Sequence, residues 1–179
     1  MFRRTALITA AAAIAAGLAL TGCSGSGATS GAGSSSPAAA SAPAAPTTAS
    51  LNTPVKAGSF EYTATGSKDA GTTVGTSPLT QTAQGTFVEV DLSIKNVGNA
   101  SATFVSNYVK VVDATGKTYD ADPTATLYAS PNQSAWVAAI NPGNSITGPI
   151  FFDVPTGTKA VSIQVSGDMF SKGETINLG

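Results

Sequence analysis

Few side chains in this sequence are of a type that does chemistry. The chain has one cysteine, Cys23, and no histidine. Without imidazole there can be no Ser-His-Asp or Cys-His nucleophile and no histidine-ligated zinc. Met1 and Met169 are the only methionines, too few for a soft-metal copper site. Asp113, Asp120 and Asp122 could converge on calcium, which takes about six to eight oxygens, but their spacing is not that of an EF-hand loop. The preferred reading has Asp113 ordering its own turn and the other two solvated. Glu89 and Asp91 could form a glycosidase-type carboxylate pair. They fall on one face of a strand beside Lys95, which reads as a soluble surface. Tyr128 and Trp136 flank a polar, turn-prone segment in LYASPNQSAWVAAI. Such a pair could bind a sugar or a protein partner; the preferred alternative has Trp136 starting a strand and filling the core. No catalytic residue, cofactor or metal is expected, and the chain reads as a non-enzyme.

Cys23 has a more specific context. Met1-Phe2 precedes Arg3 and Arg4, and ALITAAAAIAAGLAL follows. This apolar run is shorter than the roughly 20 residues a spanning helix needs, and it ends in small residues, as a secretory signal peptide does. Leu20-Thr21-Gly22-Cys23 resembles the bacterial lipobox. The resemblance implies that the Cys23 sulfur, the nucleophilic group near neutral pH, accepts a diacylglyceryl group. Cleavage between Gly22 and Cys23 then leaves the lipidated cysteine as the new N-terminus. The alternative is an ordinary signal peptide followed by a stray thiol. One acyl chain holds a protein marginally and two or more hold it stably, so the expected location is the outer face of the cell membrane. Removing Arg3 and Arg4 with the signal leaves seven lysines against ten acidic residues. With no arginine and a net negative charge, a nucleic-acid partner is not expected. With its single thiol acylated, the chain cannot form an internal disulfide.

From Ser24 to about Leu51 the chain is Gly, Ser, Ala, Thr and Pro, without charge or aromatic residues. That composition cannot offset the entropy of ordering and is expected to be a disordered linker, spanning on the order of 30 Å as a coil. After Pro54 period-2 alternation begins. In TFVEVDLSIKN, Val88, Val90, Leu92 and Ile94 point one way and Glu89, Asp91, Ser93 and Lys95 the other. Asn96-Val97-Gly98-Asn99 supplies a turn, with SATFV beginning a partner strand. YVKVVD, the turn Asp113-Ala114-Thr115-Gly116 and KTYDAD read as a hairpin, with Gly116 left-handed. Asn141-Pro142-Gly143-Asn144 fits a type II turn. SITGPIFFDV buries Ile150, Phe152 and Val154, and Pro149 points to an edge or bulge. AVSIQV turns Val161, Ile163 and Val165 inward, ETINLG is the last strand and SFEYTAT the first. Seven or so short strands without an amphipathic helix indicate an all-β, immunoglobulin-like antiparallel sandwich, with a barrel as the alternative.

Three stretches, GTFVEVDLSIKNVGNASATF, VKVVDATGKTYDAD and INPGNSITGPIFFDVPTGTKAVSIQV, are together similar to domain of unknown function 4352. This is an extracellular lipoprotein domain of actinobacteria and firmicutes with a telokin-like, immunoglobulin-like fold. The similarity covers roughly residues 56–179 and implies fold and surface location, but no catalytic residue. The expected organisation is a signal peptide over 1–22, a lipidated cysteine and linker over 23–51, and a sandwich over 52–179. The expected function is a non-enzymatic binding module anchored through Cys23, with an envelope protein or cell-wall component as partner. The alternatives are a glycan or small-ligand carrier using its end loops and, third, a carboxylate-based hydrolase.

Overall fold

The computed structural model describes residues 48–130 and 137–179. Its strands are β1 (Thr48–Ala49), β2 (Val55–Ala57), β3 (Phe60–Thr76), β4 (Leu79–Asn96), β5 (Ala102–Val105), β6 (Val109–Asp113), β7 (Thr118–Asp120), β8 (Val137–Ile140), β9 (Ser145–Val154), β10 (Ala160–Val165) and β11 (Glu174–Asn177), and α1 (Pro123–Ala129) is a short helix. A five-stranded sheet runs β1-β11-β10-β6-β7, a four-stranded sheet runs β2-β3-β4-β9, and β5 pairs with β8. The sheets are not closed, so the fold is the expected sandwich and not a barrel.

The alternation in β4 does what period 2 requires. Val90, Leu92 and Ile94 are fully buried, facing Val109, Val111, Ile163, Val165 and Ile176 of the opposite sheet. Ile150, Phe152 and Val154 of β9 join them, and β9 is an edge strand, as Pro149 implies. An aromatic cluster closes the core. Phe60, Tyr62, Phe104 and Tyr108 pack mainly edge-to-face at centroid separations of 6.0 to 6.4 Å. Tyr62 is fully buried, and its hydroxyl crosses the sandwich to donate to the Ser166 carbonyl at 2.7 Å. Burial above all, with Tyr108 second, raises its pKa above the ordinary tyrosine value. Tyr62→Phe strands that carbonyl and is expected to cost about 1–2 kcal/mol, read as a lower urea midpoint at unchanged slope.

The structure corrects the sequence reading in five places. Thr48 and Ala49 belong to the fold and not to the linker: they pair in parallel with Thr175 and Ile176, the one exception to antiparallel pairing among the described ladders. SFEYTAT is not the first strand, since β1 and β2 precede it, and there are eleven described strands rather than seven. SATFV pairs not with the preceding strand but with β8. Val161 is not inward, because a bulge between Ala160 and Ser162 takes it out of register and buries Ser162 instead. Lastly, α1 covers the outer face of the four-stranded sheet, so Phe87 and Phe151, which alternation would leave in water, are buried with Val74 and Ala125.

The strand pairings define the two ends of the sandwich. Val165 lies opposite both Val109 and Glu174, and Thr48 lies opposite Thr175. The chain therefore enters at the end that carries the β10–β11 loop. Asp113 and Ala160 pair at the far end, and β11 runs toward it.

Candidate functional site

Asp113, Asp120, Asp122 and Glu89, four of the five carboxylates singled out by sequence, each have a structural partner. Asp113 is buried at the mouth of the β6–β7 hairpin. Its Oδ1 accepts from the Thr115 amide at 2.7 Å, the Thr115 hydroxyl at 2.7 Å and the Lys117 amide at 3.0 Å, and its Oδ2 accepts from the Tyr119 hydroxyl at 2.9 Å. Gly116 is left-handed at φ 84°, as the turn requires. These donors, the Thr115 side chain first, hold the Asp113 carboxyl down to about 2. The native pKa lies below the unfolded value near 4, so the stabilisation is present above pH 4 and lost as pH falls toward 2. Asp113→Asn is expected to lower the urea midpoint at neutral pH. Its midpoint and the parent's should converge between pH 4 and 2.

Asp120 is exposed and pairs with Lys110. Asp122 is not free in solvent as expected but caps α1. Its Oδ1 accepts from the Thr124 and Ala125 amides at 2.8 and 2.9 Å, with Pro123 at the first helical position. Thr126 fixes the helix to β9: it is fully buried, donates to the Asp122 carbonyl and accepts from the Phe151 amide. The three aspartates thus serve a turn, an ion pair and a cap. Among the described residues no three acidic, cysteine or histidine side chains are grouped to hold a metal. Glu89 is paired with Lys68 across the β3–β4 ladder at 2.9 Å, so it and Asp91 are not a free acid–base pair.

Tyr128 lies on α1 and is half-buried, with its Cβ close over Gly75 of β3. It is packed against the sheet and not raised on an open loop. Trp136, Cys23 and the Gly22–Cys23 cleavage position lie outside the described residues.

The structure draws attention to a different place. At the chain-entry end, a cleft of about 430 Å³ is lined by Tyr108, Lys110, Asp120, Gln164, Met169 and Phe170. The β10–β11 loop forms one wall. Asp168 Oδ1 accepts from the Phe170 and Ser171 amides, both at 2.7 Å, and Ser171 Oγ accepts from the Gly167 and Asp168 amides at 3.3 Å. Gly167 lies directly against Gly58 of the β2–β3 turn: a Cβ on Gly167 would meet the Gly58 Cα at 2.6 Å. The loop is thus held at its base, with Met169 and Phe170 71% and 95% exposed at its tip. Asp-Met-Phe-Ser carries no alternation, and its one readable signal was an apolar pair between turn-forming residues.

The profile of a family described as "Domain of unknown function (DUF4352)" matches residues 49–175. No curated protein matches the chain. Among solved structures, a secreted protein from Mycobacterium tuberculosis, MPT63, superposes with a TM-score of 0.55 at 19% identity over 75% of this chain and 99% of that one. The yjhA protein from Bacillus subtilis gives 0.54 at 12% identity over 73% and 99%. A candidate lipoprotein, ycdA, from Bacillus subtilis subsp. subtilis gives 0.50 at 16% identity over 70% of this chain but only 38% of that one. At these identities the likeness is one of fold.

Proposed function

The chain belongs to the DUF4352 family, and from that premise we propose that it is a lipid-anchored, non-enzymatic binding module on the outer face of the cell membrane, taking an envelope protein or cell-wall component as partner. The observation that carries this reading is how the carboxylates are used. Asp113 orders a turn, Asp122 caps a helix and Glu89 is held in an ion pair, and the cleft at the chain-entry end sets Tyr108 and Gln164 beside a single ion pair. An aromatic wall with a few polar groups suits recognition. The acid–base work of hydrolysis instead needs two carboxyls with separated roles. The lipobox-like Leu20-Thr21-Gly22-Cys23 supports the anchor.

A photo-reactive residue in place of Gln164, used in intact cells, tests the reading. One discrete envelope component should be captured, and Tyr108→Ala should reduce its yield several-fold. Hydrolysis of a wall glycan or peptide by the purified chain, abolished by Asp120→Asn, would overturn it.

A further inference from the structure

We infer that the Met169–Phe170 tip is a membrane contact, which seats the chain-entry end of the sandwich on the lipid surface. Three observations lead there. The tip exposes a phenyl ring and a thioether side by side, the two most exposed of the large apolar side chains among the described residues. A soluble domain gains nothing from ordering apolar groups in water. Yet this loop is ordered, by the Asp168 and Ser171 hydrogen bonds and the Gly58–Gly167 contact. The third observation is connectivity. Thr48 pairs with Thr175, at the start of the strand that follows the loop. The chain therefore leaves the domain toward Cys23 from the same end that carries the tip.

That placement makes weak insertion sufficient. One buried phenylalanine contributes too little to recruit a free protein. With Cys23 acylated, however, residues 24–47 are all the chain that separates the anchor from Thr48, and even fully extended that length reaches only about 80 Å. The tip then meets the bilayer at an effective concentration near the millimolar range, and a modest affinity populates the bound state. Lys172 follows the tip and Asp168 precedes it, its carboxylate accepting from the loop amides, so the loop offers an apolar point of little net charge. That chemistry suits shallow insertion at the lipid interface. The inference rests on acylation of Cys23.

The full lipidated chain carrying Met169→Cys provides the test. Acylation consumes Cys23, the only native thiol, so a nitroxide label attaches at position 169 alone. The labelled chain is reconstituted into phosphatidylglycerol/phosphatidylethanolamine vesicles. Collision with oxygen, which concentrates in lipid, is then compared with collision with a water-soluble nickel complex. The label at 169 should favour oxygen several-fold over a label at Ala114→Cys, in the exposed turn at the opposite end. Adding Phe170→Ser to the labelled chain should shift position 169 back toward the water profile. Equal, water-like accessibility at 169 and 114 would overturn the inference, as would cross-linking from 169 to a protein while the label stays in water. The intact mass reports acyl groups on Cys23 independently, so a missing anchor and a solvated tip are separate results.

Discussion

Replacing Asn96 with alanine is expected to cost the sandwich about 3–4 kcal/mol, a large fraction of the roughly 5–15 kcal/mol that keeps a domain folded. Asn96 ends β4 fully buried, and its amide is used at both ends. Nδ2 donates to the Ala100 carbonyl at 2.8 Å and the Ile140 carbonyl at 2.7 Å, and Oδ1 accepts from the Gly98 amide at 2.8 Å. One side chain thus closes the turn after β4 and ties it to the end of β8. Alanine removes it from three backbone groups at once, one of them buried, while gaining no apolar contact. Asn96→Asp separates hydrogen bonding from shape. A carboxylate would face two carbonyls, so its native pKa should rise above the unfolded value near 4. A raised native pKa makes the variant's deficit relative to the parent smallest below pH 4, and the deficit grows as pH rises through the native pKa. Urea midpoints across pH check both substitutions. An unfolding free energy for Asn96→Ala within about 0.5 kcal/mol of the parent's would show that water replaces the amide at no cost.

The second large effect concerns the anchor. Cys23→Ser is expected to abolish fatty-acid incorporation and the processed species together, because the serine hydroxyl is not ionised near neutral pH and does not replace the thiolate. Metabolic labelling with palmitate followed by intact mass measures both. In the parent, the mature chain should begin at Cys23 with diacylglyceryl mass; in the variant the label should fall to background. A mature parent chain carrying an unmodified thiol would remove the basis for membrane attachment.

The parts of the fold legible in the sequence were those where one face meets water and the other a core. β4, β9 and the β6–β7 hairpin are of that kind, and Asp113 was rightly assigned to its own turn. Alternation says nothing where neither face is apolar. The stretch from Gly66 to Gly85, rich in Gly and Thr, extends β3 and β4 into a long ribbon that hydrophobic pattern cannot reveal. Nor does alternation register a second layer: it gives no reason for Phe87 and Phe151 to be buried on the outer face, because α1 has too few residues to display a period. Its Asp122-Pro123 start was nevertheless readable as a cap followed by an N1 proline. The cleft is not legible because its lining comes from the turn before β6, from β6, β7 and β10, and from the loop after β10, which only tertiary structure brings together.

The parallel pairing of β1 with β11 has a mechanical consequence. A pull on Thr48 directed out of the chain-entry end acts along the axis of β1. It therefore loads the Thr48–Thr175 and Ala49–Ile176 pairings together, in shear, and not one at a time as in a peeled hairpin. Behind them, the Asn52 amide bonded to the Ala64 carbonyl at 2.8 Å joins the same strand end to the other sheet. A load applied at Thr48 is thereby passed to both halves of the sandwich within four residues.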